Sequence, residues 1–223
     1  MEYKPDSKTI YSDLGMILML DIIERVTRAK LDYLSNKYFY KPLGMKNTFF
    51  NPPQKLIERI APTEHDNYFR HKLLKGVVHD ENAYLLGGVS GHAGLFSTAE
   101  DIGIYSKMLI DDGYHLGTRY LTKNIIEKFT KRQNITEGSD RTLGWDTPSQ
   151  NGESLAGDYF SNKSYGHLGF TGSSVWIDPL QNIIVVLLSN RVYSTRDKKN
   201  IKQRMYQVRR NFHTEVMKSI LGT

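Results

Sequence analysis

Apolar side chains recur at spacing four near the start of the chain. Leu14, Leu18, Ile22 and Val26 form one stripe, Ile23, Leu31 and Leu34 fall close to it, and charged residues fill the opposite face. The pattern predicts a long amphipathic helix over 14–39, apolar enough at its start to be buried nearly all round. Asp13 stands where an N-cap belongs, and Pro42 and Gly44 end regular structure. Residues 45–82, with Asn47, Asn51, Pro52, Pro53 and Pro62, read as loops with short helical pieces. The stretch 83–98, AYLLGGVSGHAGLFST, is dense in glycine, which predicts close backbone packing or unusual φ angles. Thr98 then caps a helix that opens with Glu100 and Asp101 and stops at Gly113, and a shorter helix follows over about 122–132.

Residues 133–163 are polar and show no period. Beyond them the pattern changes. GHLGFTGSSVWIDP and NIIVVLLSNR are β-rich runs broken at Leu180-Gln181, which predicts a hairpin. The second run is apolar throughout, as a strand buried on both faces would be. Helix resumes from about Thr195 to Leu221. Helices first, then strands, then a helix predict an α+β fold rather than alternating β/α units.

Composition narrows the chemistry. None of the 223 residues is cysteine, which excludes disulfides, thiolate metal sites, iron–sulfur clusters and a cysteine nucleophile. No apolar run is long enough to span a membrane, and the N-terminal residues lack the basic and apolar regions of a signal peptide. The net charge of +6 is concentrated. Residues 191–210 hold Arg191, Arg196, Lys198, Lys199, Lys202, Arg204, Arg209 and Arg210 against Asp197 alone, a local +7 that leaves −1 for the rest. A run of this kind can bind phosphates, but no basic–aromatic motif accompanies it. A C-terminal helix with a solvated basic face is the expectation, and no nucleic-acid partner is expected.

Local motifs give little direct chemistry. There is no G-x-S-x-G; Gly88-Val89-Ser90-Gly91-His92 comes nearest but has His at the final position. His65-Asp66, His79-Asp80-Glu81 and His92 lack metal-ligand helix spacing and read as polar loop residues, so no metal is expected. No phosphate loop or dinucleotide fingerprint is present, so no cofactor is expected. Two stretches stand out: Tyr11-Ser12-Asp13 at the mouth of the first helix, and Gly166-His167-Leu168-Gly169-Phe170-Thr171-Gly172 at the opening of a strand. Taken singly, Tyr11 reads as core packing and His167 as a satisfied strand histidine.

In combination, these stretches resemble the serine β-lactamase and penicillin-binding-protein superfamily, in the branch of class C β-lactamases, D-alanyl carboxypeptidases and esterase-like hydrolases. Tyr11-Ser12-Asp13 with Leu14-Gly15 is similar to the Tyr-x-Asn motif and its helix. Lys41-Pro42-Leu43-Gly44-Met45 with Asn47-Thr48-Phe49 is similar to the P-L-G-M-x-x-T segment. The segment 78–102 resembles the glycine-rich stretch that follows, HLGFTG at 167–172 the third motif, and WIDPLQNIIVVLLSNR the hairpin that completes the sheet. The resemblance implies a β-lactamase/transpeptidase-like α+β fold: an antiparallel sheet flanked by helices, with a helical subdomain. It also implies acyl transfer through a serine ester. By resemblance, Tyr11 is the general acid/base candidate and His167 a polar partner for Tyr11 or for the substrate carboxylate. The Phe170 amide is the oxyanion donor, and Asp13, Gly169 and Thr171 contact substrate.

One departure matters. No serine in the chain is followed three positions later by lysine, so the S-x-x-K nucleophile motif is absent; Thr27-Arg28-Ala29-Lys30 fits only T-x-x-K and follows Tyr11. The expectation is therefore a single incomplete domain over 1–223, mainly helix and loop over 1–163 and sheet hairpin plus helix over 164–223, with the N-terminal part of the fold missing. Such a chain alone would be inactive, prone to association, and completed by the missing segment as partner. The resemblance points to a small-molecule or peptidoglycan-type substrate and to an extracytoplasmic full-length protein. A non-catalytic binding or structural domain is the alternative, and a polyanion-binding module using 191–210 is a third.

Overall fold

The computed structural model describes residues 2–150 and 153–222. The chain divides into two compact units: Tyr11–Tyr105 with Val192–Lys199, and Met1–Ile10 with Ser106–Arg191 and Asn200–Thr223.

The first unit opens with α1 (Asp13–Thr27). Ser12, not Asp13, is its N-cap: the Ser12 hydroxyl accepts the Leu14 N–H at 3.3 Å, and Asp13 becomes the acid of the first turn. The helix is also shorter than its apolar period suggests. Arg28 is left-handed, with φ 52°, and Glu24 takes the Leu31 N–H at 3.1 Å and the Lys30 ammonium at 2.6 Å, which seats a new helical start. α2 (Leu31–Ser35), a π turn over Asn36–Tyr40 and α3 (Lys41–Leu43) follow. The expectation that α1 is buried nearly all round fails. None of its residues is buried, and Leu14, Leu18 and Val26 are 72%, 60% and 79% exposed.

The rest of this unit is short elements in long loops. β1 (Phe49–Phe50) pairs with β4 (Leu95–Phe96), and β2 (Glu64–Asp66) with β3 (Lys72–Leu74), both antiparallel. Between β3 and β4 lies α4 (Glu81–Leu85), and α5 (Ala99–Ile110) follows β4. Thr98 caps α5 as expected, accepting the Asp101 N–H at 3.2 Å. The Asp101 carboxylate in turn receives the Asn47 N–H at 2.7 Å and the Thr48 hydroxyl at 2.8 Å, which ties the 41–49 segment to α5.

Buried charge organises these loops. Asp66 is fully buried, pairs with Arg70 at 2.6 Å, and accepts the N–H groups of Tyr68, Phe69 and Arg70. Glu64, equally buried, is bound by Arg196 Nε at 2.8 Å and by His79 Nε2 at 2.6 Å. Arg196 also reaches Glu81 at 2.9 Å. Arg196 thus lies outside the C-terminal helix and inside an ion network, contrary to the solvated-face expectation.

The second unit carries the sheet. β5 (Tyr114–His115) and β6 (Thr118–Arg119) form a small hairpin, and α6 (Lys123–Thr130) starts at its Thr122 cap. Three antiparallel strands follow in the order β7 (Tyr165–Leu168), β8 (Gly172–Asp178), β9 (Ile183–Asn190). The run GHLGFTGSSVWIDP is therefore two strands with a turn at 169–171, not one. Asp178 closes the β8–β9 hairpin by accepting the N–H groups of Leu180 and Gln181 at 3.0 and 3.2 Å. β9 is not buried on both faces; Val185 is its one fully buried residue. Trp176, Val185, Ala156, Phe160 and Met217 make the core. The last element, α7 (Ile201–Leu221), begins six residues later than its sequence pattern suggests, because 192–199 belong to the first unit.

The buried face of α7 runs Met205, Arg209, His213, Met217, one residue per turn and slightly more. His213 is fully buried, with Nε2 2.9 Å from the Ser174 hydroxyl. Burial, with help from Arg209, pulls its pKa down to about 4. Between that value and the ordinary 6.5 the unfolded chain binds the proton and the folded chain does not. Stability is therefore lost as pH falls through this window, by about 3 kcal/mol in full. Urea titrations from pH 7 to pH 5, above the unfolded-state values of Asp66 and Glu64, should show more than half of this loss. His213→Gln should remove most of the slope and leave the smaller part that the lowered pKa of His167 contributes; an equal slope in both proteins would contradict the assignment.

Candidate active site

The candidate residues fall on two units. Tyr11 and Asp13 stand at the start of α1 in the first unit, and His167, Gly169, Phe170 and Thr171 lie on β7 and the β7–β8 turn of the second.

In the first unit, Tyr11 is 61% exposed and is not a core residue. Asp13 is half-buried beside the glycine-rich loop. That loop lies directly on the helix backbone: a Cβ at Gly91 would sit 2.6 Å from the Met16 carbonyl oxygen, so only glycine fits. The approach brings ligand atoms of Asp13, Asp80 and His92 within 4.8 Å of one another. His92 already has partners on both ring nitrogens, the Ser90 hydroxyl on Nδ1 and Asp80 on Nε2, each at 2.8 Å. Asp80 also caps α4 through the Ala83 N–H at 2.8 Å. Ser90 is buried, and its hydrogen bond to His92 orients a loop.

In the second unit, His167 stands opposite Val175 on β8. The residue before it, Gly166, has no room for a side chain: a Cβ there would meet the Val175 carbonyl oxygen at 2.3 Å and the Trp176 ring at 2.6 Å. On the other edge of β7, Gly166 exchanges two backbone hydrogen bonds with Asp146, at 2.8 and 2.9 Å. Burial lowers the His167 pKa, opposed by the Asp146 carboxylate and assisted by Arg141. Burial raises the Asp146 pKa, opposed by Arg141, whose guanidinium is 2.6 Å away. His167 is thus held as a neutral imidazole near pH 7, able to accept or pass a proton. Asp146 and Arg141 were not legible as site residues, because 133–163 has no period to place them.

The turn after β7 is exposed at Gly169 and Phe170. The Gly169 N–H donates to Ser173 O at 2.7 Å and the Gly172 N–H to Gly169 O at 3.1 Å, which makes the turn tight. The Arg191 guanidinium stacks on the Phe170 ring, 4.5 Å from its centroid.

A tight turn beside a half-buried neutral histidine, and a helix start with an exposed tyrosine, are the two motif sites expected above. The model of the Beta-lactamase family matches residues 1–209. The chain belongs to the β-lactamase family. A Salmonella agona protein named, by inference, a D-alanyl-D-alanine carboxypeptidase is 37% identical over 211 residues, covering 87% of this chain and 48% of its own length. A Salmonella typhi relative of the same name matches to the same extent. The chain therefore spans about half the length of these curated relatives. Its fold is shared with a β-lactamase from Mycobacterium bovis, with TM-score 0.65 and 15% identity, over 97% of this chain and 66% of that one. An octameric penicillin-binding protein homologue from Pyrococcus abyssi gives TM-score 0.58 and 20% identity, over 95% and 44%. The α+β fold of the β-lactamase and penicillin-binding-protein superfamily, expected from the motifs, is the fold found. Among the described residues no helix is long and apolar enough to cross a membrane.

Proposed function

We propose that this chain supplies the tyrosine and third-motif parts of a serine acyl-transfer site, and that the nucleophile comes from polypeptide outside these 223 residues. The observation that carries the reading is the family match over 1–209 in a sequence without S-x-x-K. The exposed apolar stripe of α1 supports it, because a surface of this kind is a packing face. Covering on the order of 300 Å² there stabilises by about 7 kcal/mol at 25 cal/mol per Å².

In the completed site, a serine Oγ adds to the substrate carbonyl carbon and its proton passes to the Tyr11 oxygen. The Phe170 N–H donates to the oxyanion. As the C–N or C–O bond breaks, Tyr11 returns the proton to the leaving group, and water then cleaves the serine ester. His167, neutral, hydrogen-bonds the substrate carboxylate. Asp13, Gly169 and Thr171 contact the substrate. A peptide ending in D-alanyl-D-alanine is the favoured substrate, because the relatives at 37% identity carry that name. Such substrates lie outside the cytoplasm, which is where the full-length protein acts.

The test uses a joined protein: residues 1–223 fused behind a segment that carries S-x-x-K, taken from another protein of the β-lactamase family. Benzylpenicillin should form a serine-linked adduct on the joined protein, and the joined protein should release D-alanine from a D-alanyl-D-alanine peptide. Neither reaction in a folded fusion would refute the reading.

A further inference from the structure

Arg209 is a buried cation on α7, 4% exposed, and among the described residues no carboxylate pairs with it. An apolar side chain would fill the same place without the cost of burying charge. Its hydrogen bonds go instead to the β7–β8 turn. Nη2 donates to Gly169 O and, at 2.8 Å, to Ser173 O, and Nε donates to Gly172 O at 2.9 Å. Arg191 completes the set: its Nε donates to Phe170 O at 2.7 Å and its backbone N–H to Thr171 O at 2.6 Å. Two arginines therefore hold every carbonyl from Gly169 to Ser173.

We infer that Arg209 is a positioning residue for the Phe170 amide. In a trans peptide the carbonyl and the following N–H point in opposite directions. Anchoring Gly169 O to α7 turns the Phe170 N–H away from that helix. A charge-assisted bond on the carbonyl also polarises the peptide and makes its N–H a stronger donor. The inference rests on the acyl-transfer reading for its consequence, while the clamp itself is tested without it.

The first arm uses ¹⁵N-labelled chain and residual dipolar couplings, which report N–H orientation. Arg209→Met should change or average the couplings of Phe170 and Thr171 and leave those of Val175, Trp176 and Ile177 unchanged. The second arm uses the joined protein. Arg209→Met should lower kcat for D-alanine release about 10- to 100-fold, somewhat less than deleting an oxyanion donor, with KM within about threefold. Arg209→Lys should recover part of kcat, since it restores one charged donor but not the fork. Met217→Ala removes packing from the same face of α7 without touching the turn, and should lower the thermal midpoint while kcat stays within about threefold. Should Arg209→Met fail to fold, Arg209→Lys carries both comparisons. Unchanged Phe170 couplings, or a kcat loss in Met217→Ala equal to that in Arg209→Met, would overturn the inference. If the unmutated joined protein releases no D-alanine, the acyl-transfer reading fails, and the couplings still decide the clamp.

Discussion

Replacing Tyr11 by Phe in the joined protein will lower kcat/KM for D-alanine release by about 10²- to 10⁴-fold, the usual span for loss of a general acid/base. Tyr11 is exposed at the start of α1, so removing its hydroxyl disturbs no core. Stability should stay within about 0.5 kcal/mol of the parent. The two readouts separate chemistry from folding. An ordinary tyrosine ionises near pH 10, about 3 units above the working pH, so Tyr11 needs a neighbouring cation to act as a base. In the proposed site, the lysine of an S-x-x-K motif on the completing polypeptide would supply one. A Tyr11→Phe protein that keeps more than about a tenth of the parent rate would remove Tyr11 from the proton path.

The second large effect is on stability. Asp66→Asn will destabilise the first unit by about 3–5 kcal/mol, the range found when one partner of a buried ion pair is removed. Burial by itself would raise the Asp66 carboxyl. The Arg70 guanidinium and the amides of Phe69, Tyr68 and Arg70 outweigh burial and hold it well below the usual carboxylate range. Asn cannot accept from all these donors and leaves the Arg70 cation only Glu81, 4.0 Å away, as a carboxylate partner. A loss of this size is a large part of the 5–15 kcal/mol that holds a typical domain together. Urea unfolding followed by near-UV circular dichroism will show it as a lower midpoint. A shift below about 1 kcal/mol would show that the network contributes specificity rather than stability.

Much of the fold was legible because periodicity and punctuation carry it. The Thr98 cap and the break at Leu180-Gln181 fall where sequence chemistry places them, while α5 ends at Ile110, three residues before the expected stop at Gly113. The misreadings share a physical cause, which is that sequence reports what a segment can pack but not what packs on it. The apolar stripe of α1 reads as buried, yet it is exposed in this chain. The basic run 191–210 reads as one solvated helix, yet Arg191, Arg196 and Arg209 are held by carbonyls and carboxylates far away in sequence. Anchored side chains of this kind leave no periodic signal, except that Arg209 and His213 occupy the apolar face of α7 between Met205 and Met217. Tyr11, Asp13 and His167 are proposed as site residues on motif order. Asp146 and Arg141 were missed because they sit in an irregular segment that meets β7 only in three dimensions.

The most direct measurement is the intact mass of two proteins after exposure to benzylpenicillin: residues 1–223 alone, and the joined protein. The chain alone should carry no adduct, because it holds no S-x-x-K serine. The joined protein should carry one adduct, localised to the serine of the added segment. A stoichiometric serine-linked adduct on residues 1–223 alone would contradict a nucleophile outside this chain.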